Sequence, residues 1–327
     1  MYINRNPNYM KILKDKELYI FGAGINARYT AHKFQKTGKI WGGGCCVKAF
    51  IDNSRDKIGS AIDGLKVISL DEFIQENTAS KFVVVCGGRF EGEIAEQLLC
   101  CGVYNFVRGS DLDYGAGEEH YDTAYFEWQR PMGEFGAQYK LRMFFQKYIT
   151  PEMSVLEFGS GGGFLLKELN VREKMGIDIN DAAREFARTI GINSVKTISE
   201  VSDGWADVII STSVLEHVEN PLGVLRELRP KLKPHGRIIF HVPNESCETE
   251  YIPNNIDRHL YTWNCLNLGN LFQAAGYQIC SVERVQERWP DEYQKIAGEV
   301  SEELFDFLAT AWGKATDAYA CLIVAKP

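Results

Sequence analysis

The nine residues Val155–Gly163 constrain the fold of this chain more than any other stretch of its sequence. A short apolar run carries the acid Glu157, ends at Phe158 and is followed by glycine at alternate positions. Glycine adopts backbone angles that other residues resist, and it lets a ligand approach the main chain closely. A strand that enters a glycine-rich turn and then a helix is the nucleotide-binding unit of open α/β sheets. The stretch therefore predicts an α/β fold with a ligand site at this turn.

Length, charge and cysteine content restrict the class of protein. The 327 residues are enough for two domains, and a net charge of -8 argues against a nucleic-acid partner. No apolar run reaches the ~20 residues of a membrane span, and the N-terminus lacks a signal-peptide pattern. The nine cysteines form no C-x-x-C pair, which suits a reducing compartment and predicts no metal site. We expect a cytoplasmic protein without a membrane partner.

Residues 1–112 predict a small domain in which strands and helices alternate, as in a parallel sheet. Gly22, Gly24 and Ala27 fit the pattern G-x-G-x-x-A after the first strand, and Asp52 ends the next strand. This pattern fits a nucleotide whose phosphate meets a helix N-terminus and whose ribose meets an acid. A tight turn alone would need the same glycines, so both interpretations stay open. Residues 113–120 are polar and glycine-rich, and they predict a linker.

The runs Phe21–Gly24 and Phe50–Ser54 resemble the small N-terminal domains of bacterial polysaccharide-biosynthesis enzymes. The resemblance covers about the first 110 residues and implies a nucleotide or nucleotide-sugar ligand. The ligand region that it implies consists of Gly22, Gly24, Asn26, Asp52, Asn53 and Gly87.

Residues 121–327 predict a second domain, in which several different motifs follow one another along the chain. Counted from the first glycine of the turn, the sixth position is Phe164, where a dinucleotide fingerprint needs glycine or alanine. Asp178 ends the next predicted strand, and the largely apolar run Asp207–Val218 covers another. A further strand begins after the turn Leu232–Arg237, and we expect Pro243 to end it.

Together these motifs resemble the class I S-adenosylmethionine-dependent methyltransferases. The resemblance covers residues 121–327 and implies a seven-stranded sheet whose last strand is antiparallel, so we expect two Rossmann-like domains in the chain. Apolar residues at helical spacing predict a helical insertion near 290–314. The resemblance also implies S-adenosyl-L-methionine as cofactor, with Asp178 accepting hydrogen bonds from the ribose and Glu157 facing the amino-acid end. The cofactor-binding residues that it implies are Glu157, Gly159, Ser160, Gly161, Gly163, Asp178, Ile179, Ser211 and Thr212.

The loop Asp257–Asn264 combines rings, charges and amides, the mixture that suits recognition of a sugar or nucleotide. His259 in this loop and His217 after the strand at 206–211 are the candidate bases, although His217 could equally pack or cap a helix. The aromatic segment Tyr121–Thr150 fits a core or a pocket wall. The candidate substrate-binding residues are Tyr125, Trp128, Asp257, Arg258, Tyr261 and Trp263.

We therefore expect a methyltransferase acting on a sugar, a nucleotide-sugar or another small metabolite, in surface-polysaccharide or secondary-metabolite biosynthesis. The expected partner is a small-molecule acceptor, and a homodimer stays open. Two alternatives remain: a NAD(P)-linked oxidoreductase acting through the first domain, and a non-catalytic module that binds S-adenosylmethionine or a nucleotide.

Overall fold

The chain divides into two compact units. The computed structural model describes residues 16–36, 46–75, 80–112, 120–246, 249–251, 256–286 and 288–327. One unit comprises Met1–Gln129 with Tyr251–Asp257, and the other comprises Arg130–Glu250 with Arg258–Pro327. Apart from His120, the linker predicted at 113–120 lies outside the described residues. Within the described ranges, every helix is too short or too polar to cross a membrane.

The first unit contains a six-stranded sheet with the order β3-β4-β2-β1-β5-β6, in which only the pairing of β3 with β4 is antiparallel. Its strands are β1 (Glu17–Phe21), β2 (Cys46–Ile51), β3 (Ala61–Ile62), β4 (Leu65–Ile68), β5 (Lys81–Val85) and β6 (Phe106–Arg108). Its helices are α1 (Ile25–Lys36), α2 (Leu70–Gln75) and α3 (Glu91–Cys100). All five residues of β5 are buried, which explains its continuous apolar run.

The second unit contains a seven-stranded sheet with the order β12-β13-β11-β10-β7-β8-β9. Its strands are β7 (Ser154–Phe158), β8 (Glu173–Ile177), β9 (Asn193–Val195), β10 (Ala206–Thr212), β11 (Leu232–Asn244), β12 (Gln278–Gln286) and β13 (Tyr319–Lys326). The last strand, β13, pairs antiparallel with both of its neighbours, and the other pairs are parallel. The predicted α/β class and the antiparallel last strand are therefore confirmed.

Helices cover both faces of this second sheet. Helix α4 (Thr123–Lys140) begins in the first unit and ends in the second. The helices that come after it in the chain are α5 (Phe164–Glu168), α6 (Asp181–Thr189), α7 (Pro221–Leu228), α8 (Cys265–Ala274), α9 (Tyr293–Glu299) and α10 (Glu302–Ala315). The central strands bury alternate side chains in two apolar clusters, with Leu156 and Ile209 in one and Val155 and Ile210 in the other. Burial of each such side chain contributes about 1.5–3 kcal/mol.

The prediction that Pro243 ends its strand was wrong. Strand β11 continues to Asn244, and Pro243 lies opposite Ala320 of β13. Strand β10 pairs with β11 only as far as His241, so Pro243 lies where β11 has a single neighbour. A residue without an N–H group is tolerated at such a position, because there is no ladder on the other side to interrupt.

Candidate functional site

The glycine turn after β7 packs tightly against two neighbouring segments. The N–H groups of Gly159 and Ser160 donate to the carbonyl oxygen of Ile177, at 2.8 and 3.0 Å. Gly159 has φ +73°, and a Cβ atom there would lie 2.2 Å from the Val214 side chain. Only glycine fits both the backbone angle and the space. The turn is therefore held against the end of β8 and the segment after β10.

Asp178 follows β8 and is fixed beside this turn. Its Oδ2 accepts a hydrogen bond from the Gly161 N–H at 2.7 Å, and its Oδ1 accepts one from the Asn180 N–H at 2.8 Å. Burial raises the pKa of this carboxyl, and the two backbone hydrogen bonds oppose the rise. Each carboxylate oxygen still has a lone pair that could accept from a ligand hydroxyl. Asn180 in turn caps α6 by accepting from two backbone N–H groups.

Glu157 lies next to the same turn in a different environment. It is 4% exposed, and its Oε2 has no hydrogen-bond partner among the described residues. Burial raises the pKa of Glu157 well above its usual range; the charge of Asp178 adds to the rise, and the charge of Lys140 opposes it. A buried carboxyl group without a partner is costly, so this site suits a cationic group of a ligand.

Among the remaining predicted cofactor residues, two are accessible to a ligand and two are buried within the fold. Ile179 is 43% exposed beside Asp178, where its apolar side chain can cover a flat ring, and Thr212 is half-buried at the end of β10. Ser160 is buried within the turn. Ser211 donates from Oγ to the carbonyl oxygen of Phe158 at 2.8 Å, so it joins β10 to the end of β7. This hydrogen bond gives Ser211 a role in shaping the site.

Two histidines and a glutamate meet where β10 and β11 end. His217 closes the short turn Leu215–His217 after β10, and Glu245 directly follows β11. His259 Nδ1 lies 2.6 Å from Glu245 Oε1, and the ring centroids of His217 and His259 are 4.8 Å apart. An ionised carboxylate only accepts hydrogen bonds, so Glu245 favours the His259 tautomer that carries a proton on Nδ1 and a lone pair on Nε2.

Sequence reasoning missed Glu245, although its position carried a signal. Polar side chains that follow the carboxyl ends of parallel strands meet at one edge of a sheet, which is where α/β sheets bind ligands. A strand that ended at Pro243 would leave Glu245 beyond the sheet, whereas β11 continues to Asn244 and brings Glu245 to this edge.

Backbone hydrogen bonds hold the loop that carries His259 against the same edge. The carbonyl oxygen of Glu216 accepts from the N–H groups of Leu260 and Tyr261, at 2.8 and 3.2 Å. The Asn244 side-chain amide donates to the carbonyl oxygen of Trp263 at 2.6 Å. The loop is therefore attached both to the turn after β10 and to the end of β11.

The structure gives the predicted substrate-binding residues of this loop different environments. Trp263 is 5% exposed and belongs to the apolar core, which favours a packing role. Tyr261 is 38% exposed and stacks on Trp263, with its hydroxyl donating to the carbonyl oxygen of Glu219. Arg258 is half-buried with φ +50°, a backbone angle that residues other than glycine adopt at a cost. Asp257 is exposed and belongs to the first unit.

Tyr125 and Trp128, the other two predicted substrate residues, also belong to the first unit. They are 6% and 7% exposed, and their rings contact each other at a centroid distance of 5.3 Å. Tyr29 and His120 complete this aromatic cluster. Such burial favours packing over ligand contact.

The first unit repeats the arrangement of acid and glycine turn. Asp52 Oδ2 accepts from the Ala23 N–H at 2.8 Å, and Oδ1 accepts from the Ser54 N–H at 2.8 Å. Asp178 has the same two kinds of donor, a turn N–H and the N–H two residues later. Gly22 has φ +108°, and a Cβ atom there would lie 2.8 Å from the Cys86 carbonyl oxygen. The two turns are therefore built on one plan.

The other predicted residues of this second site lie around the same turn. Gly24 and Asn26 are exposed at the start of α1. The Asn53 side chain donates to Gln97 Oε1 at 3.0 Å. A side chain added at Gly87 would contact Ile94 and the start of α3.

Sequence reasoning also missed that Tyr29 and Lys33 have the Tyr-x-x-x-Lys spacing of a hydride-transfer pair. Both residues are buried, at 1% and 0% exposure. Lys33 Nζ lies 2.7 Å from Asp122 and 5.3 Å from the centre of the Tyr29 ring. Because the ammonium group is enclosed and paired with an acid, the pair is explained by packing of the first unit.

Most of the second unit is similar to known proteins. Residues 128–282 match a family model described as a methyltransferase domain. The ubiquinone biosynthesis O-methyltransferase of Idiomarina loihiensis is 25% identical over 154 residues, 42% of this chain. The enzyme of the same name from Marinobacter nauticus is 28% identical over 163 residues, also 42% of this chain. The chain spans 63% and 68% of the lengths of these two relatives.

Among solved structures, one described as a SAM dependent methyltransferase from Archaeoglobus fulgidus is 21% identical. Its TM-score is 0.44, and the match covers 62% of this chain and 99% of that one.

Proposed function

We propose that this chain, whose residues 128–282 match a methyltransferase-domain model, uses S-adenosylmethionine to methylate a hydroxyl oxygen of a small molecule. The observation that carries the proposal is the His259–Glu245 pair beside His217, at the strand ends where such sheets bind ligands. Formation of an ether requires that the hydroxyl loses its proton, whereas a neutral amine reacts without a base. Both bacterial relatives are named O-methyltransferases, which supports oxygen as the acceptor atom.

The residues around the first turn fit S-adenosyl-L-methionine. The ammonium group of its amino-acid end matches the buried, unpaired oxygen of Glu157, and its ribose hydroxyls match the free lone pairs of Asp178. When bound, it supplies a methyl group on a cationic sulfur, and transfer to an oxygen lone pair leaves a neutral thioether. The glycine turn, Ser160, Ile179 and Thr212 complete the proposed cofactor site.

On the acceptor side, His259 and His217 assist removal of the hydroxyl proton, and Glu245 orients the His259 ring. Tyr261 and Arg258 lie on the same loop and are the proposed substrate contacts. Asp257, the first residue of this loop, is a further proposed substrate contact. For Tyr125, Trp128 and Trp263 the sequence-based prediction of substrate contact stands, although their burial favours packing.

The acceptor class proposed from sequence is a sugar, a nucleotide-sugar or another small metabolite. Only the first-unit resemblance supports the carbohydrate part, whereas a hydroxyl acceptor agrees with the names of the relatives as well. The test is incubation of the full chain with methyl-labelled S-adenosylmethionine and a panel of nucleotide-sugars, free sugars and simple phenols. We expect label in an O-methyl product of one class, and much less with His259→Ala. Label on nitrogen or carbon would refute the proposal.

A nucleotide-type ligand in the first unit is a second proposal, and the geometry of Asp52 favours it. Asp52 accepts from its turn as Asp178 does, and Lys57 Nζ also donates to Oδ2 at 3.3 Å, so Oδ1 is the oxygen with a lone pair left for a ribose hydroxyl. Calorimetric titration with a nucleotide-sugar should show binding that Asp52→Asn weakens and Asp178→Asn does not. A parallel titration with NADH tests the oxidoreductase alternative, for which we expect no binding.

A further inference from the structure

Three potential metal ligands cluster at the ends of β10 and β11. One ligand atom from each of Glu216, His217 and His259 lies within 4.8 Å of the others. The Glu216 side chain is fully buried, whereas the side chains of His217 and His259 are 14% and 19% exposed. The cluster is therefore closed on the side of the acid and partly open on the side of the histidines.

The types of ligand restrict which cation would fit. Two imidazoles and one carboxylate are the protein ligands of a common catalytic zinc site, in which a fourth position stays open. Imidazole nitrogen favours first-row transition metals, whereas Mg²⁺ and Ca²⁺ prefer sites made of oxygen. Donor atoms around a tetrahedral Zn²⁺ lie roughly 3.4 Å apart, given metal–ligand bonds of about 2.1 Å. Glu216 Oε1 and His217 Nε2 are already 3.9 Å apart, so small side-chain rotations would complete the site.

The surroundings of the cluster resemble the outer shell of a metal site. Glu245 Oε1 accepts a hydrogen bond from His259 Nδ1 at 2.6 Å, which leaves Nε2 as the atom that can bind a metal. Carboxylates commonly hold metal-binding histidines in this manner, because the hydrogen bond fixes both tautomer and ring orientation. The Glu216 carbonyl oxygen also accepts from the N–H groups of Leu260 and Tyr261, which joins the two ligand-bearing segments. The His259 ring and the backbone that carries all three ligands are thus held in place before any cation binds, and only small side-chain rotations remain.

We propose that Glu216, His217 and His259 bind a divalent transition-metal cation of the zinc type, with Glu245 as the outer-shell partner of His259. No such site is expected from the sequence, because its ligands come from two segments that the chain brings together only through the sheet. The C-x-x-C and H-x-x-x-H spacings that mark metal sites are absent from the sequence.

The role of this cation in catalysis rests on the proposed function. The acceptor hydroxyl occupies the open position, and its proton passes to water because the cation stabilises the oxyanion. An electron pair of that oxygen forms the new bond to the methyl carbon, while the electron pair of the S–C bond returns to sulfur. The histidines then assist proton removal by holding the cation.

The test uses the full chain, stripped of metal with a chelator and then dialysed against Co²⁺ or Zn²⁺. Elemental analysis should find one tightly held cation per chain, and bound Co²⁺ should show the visible absorption of a nitrogen-ligated site. His217→Ala, His259→Ala and Glu216→Gln should abolish binding. Glu245→Gln should weaken it roughly 10–100-fold, as loss of an outer-shell partner does.

The matched control is His235→Ala, which removes an exposed histidine that lies in β11 outside this cluster. Its metal content should equal that of the unaltered chain, and thermal unfolding of every variant checks that it folds. The proposal is overturned if the unaltered chain holds no more metal than the His217→Ala/His259→Ala double variant. Methyl transfer that persists with full metal removal would overturn the cation's role but leave O-methylation intact. Metal binding without methylation of any acceptor would uphold the site and refute the function.

Discussion

At the residue scale, two buried acids beside one turn differ in how their charge is satisfied. Asp178 accepts hydrogen bonds from two backbone N–H groups, while Glu157 Oε2 has no partner among the described residues. Burial raises the pKa of both carboxyls, and for Glu157 the neighbouring Asp178 adds to the rise. In the ligand-free protein Glu157 therefore costs stability whenever it is ionised, and a cationic ligand group would offset that cost.

Glu157→Gln should change the dependence of stability on pH. A carboxyl whose pKa is raised in the folded state contributes stability below its unfolded pKa, and that contribution is lost as the pH rises through the folded pKa. The variant lacks this loss, so its free energy of unfolding should exceed that of the unaltered chain at pH 8, with a smaller difference near pH 4. Urea unfolding at both values measures this. Equal pH slopes for the two proteins would contradict the account.

Glu157→Gln should also weaken the binding of the cofactor. A hydrogen bond to a charged group contributes about 1.5–3 kcal/mol, so the affinity for S-adenosylmethionine should fall by roughly 10–100-fold. Calorimetry measures the dissociation constant, with Glu227→Gln on the exposed face of α7 as the control that should leave it unchanged. A gain in stability without a loss of affinity would mean that Glu157 does not face the cofactor.

Replacement of Asp178 should affect binding more severely. Asp178→Ala removes the acceptors of the turn N–H and of the ribose hydroxyls together, so we expect S-adenosylmethionine binding to become undetectable by calorimetry. Asp203→Asn, at a side chain that is 71% exposed, is the control and should bind normally. Unchanged affinity in Asp178→Ala would exclude it from the cofactor site.

At the scale of elements, the turn after β7 depends on a glycine that meets Val214. The turn has to bring Gly159 into contact with the segment that leads to His217, so the cofactor side and the histidine cluster share one packed wall. A side chain at Gly159 would disturb both.

Gly159→Ala should destabilise the protein through this contact. A residue other than glycine at φ +73° costs about 1–3 kcal/mol, and the clash at 2.2 Å adds to this. Gly204→Ala is the matched control, because Gly204 has φ +66° but open space around its Cβ position. Denaturant unfolding should show a larger loss of unfolding free energy for Gly159→Ala than for Gly204→Ala. Adding Val214→Ala to the Gly159→Ala variant should restore part of that loss. Equal losses in the two alanine variants would show that the contact is unimportant.

Much of the sheet was predictable because its signals are local. Strands, turns and helices alternate at short range, and Glu157 and Asp178 occupy strand ends that an apolar run followed by glycine or a cap reveals. The His259–Glu245 pair, the burial of Trp263 and the continuation of β11 beyond Pro243 depend instead on a loop that returns to the sheet. No pattern of neighbouring residues encodes such a return, so the sequence can place His259 in a loop and Glu245 after a strand but cannot pair them.

At the scale of the whole molecule, the chain uses one device in both units. An acid at the end of the second strand accepts hydrogen bonds from the glycine turn, through Asp52 in one unit and Asp178 in the other. In each sheet the acid and the turn meet at the carboxyl ends of the strands, where open α/β sheets bind ligands. We therefore propose that the cofactor and the acceptor bind to the second unit, and that a separate nucleotide-type ligand binds to the first.

Transfer of a ¹³C-methyl group from S-adenosylmethionine to an acceptor, followed by NMR of the product, tests the central claim most directly. The account predicts a product signal at the shift of an O-methyl carbon. It also predicts that His259→Ala lowers kcat by roughly 10²–10⁴-fold while leaving cofactor affinity unchanged. An N-methyl or C-methyl signal, or an undiminished kcat in His259→Ala, would contradict it.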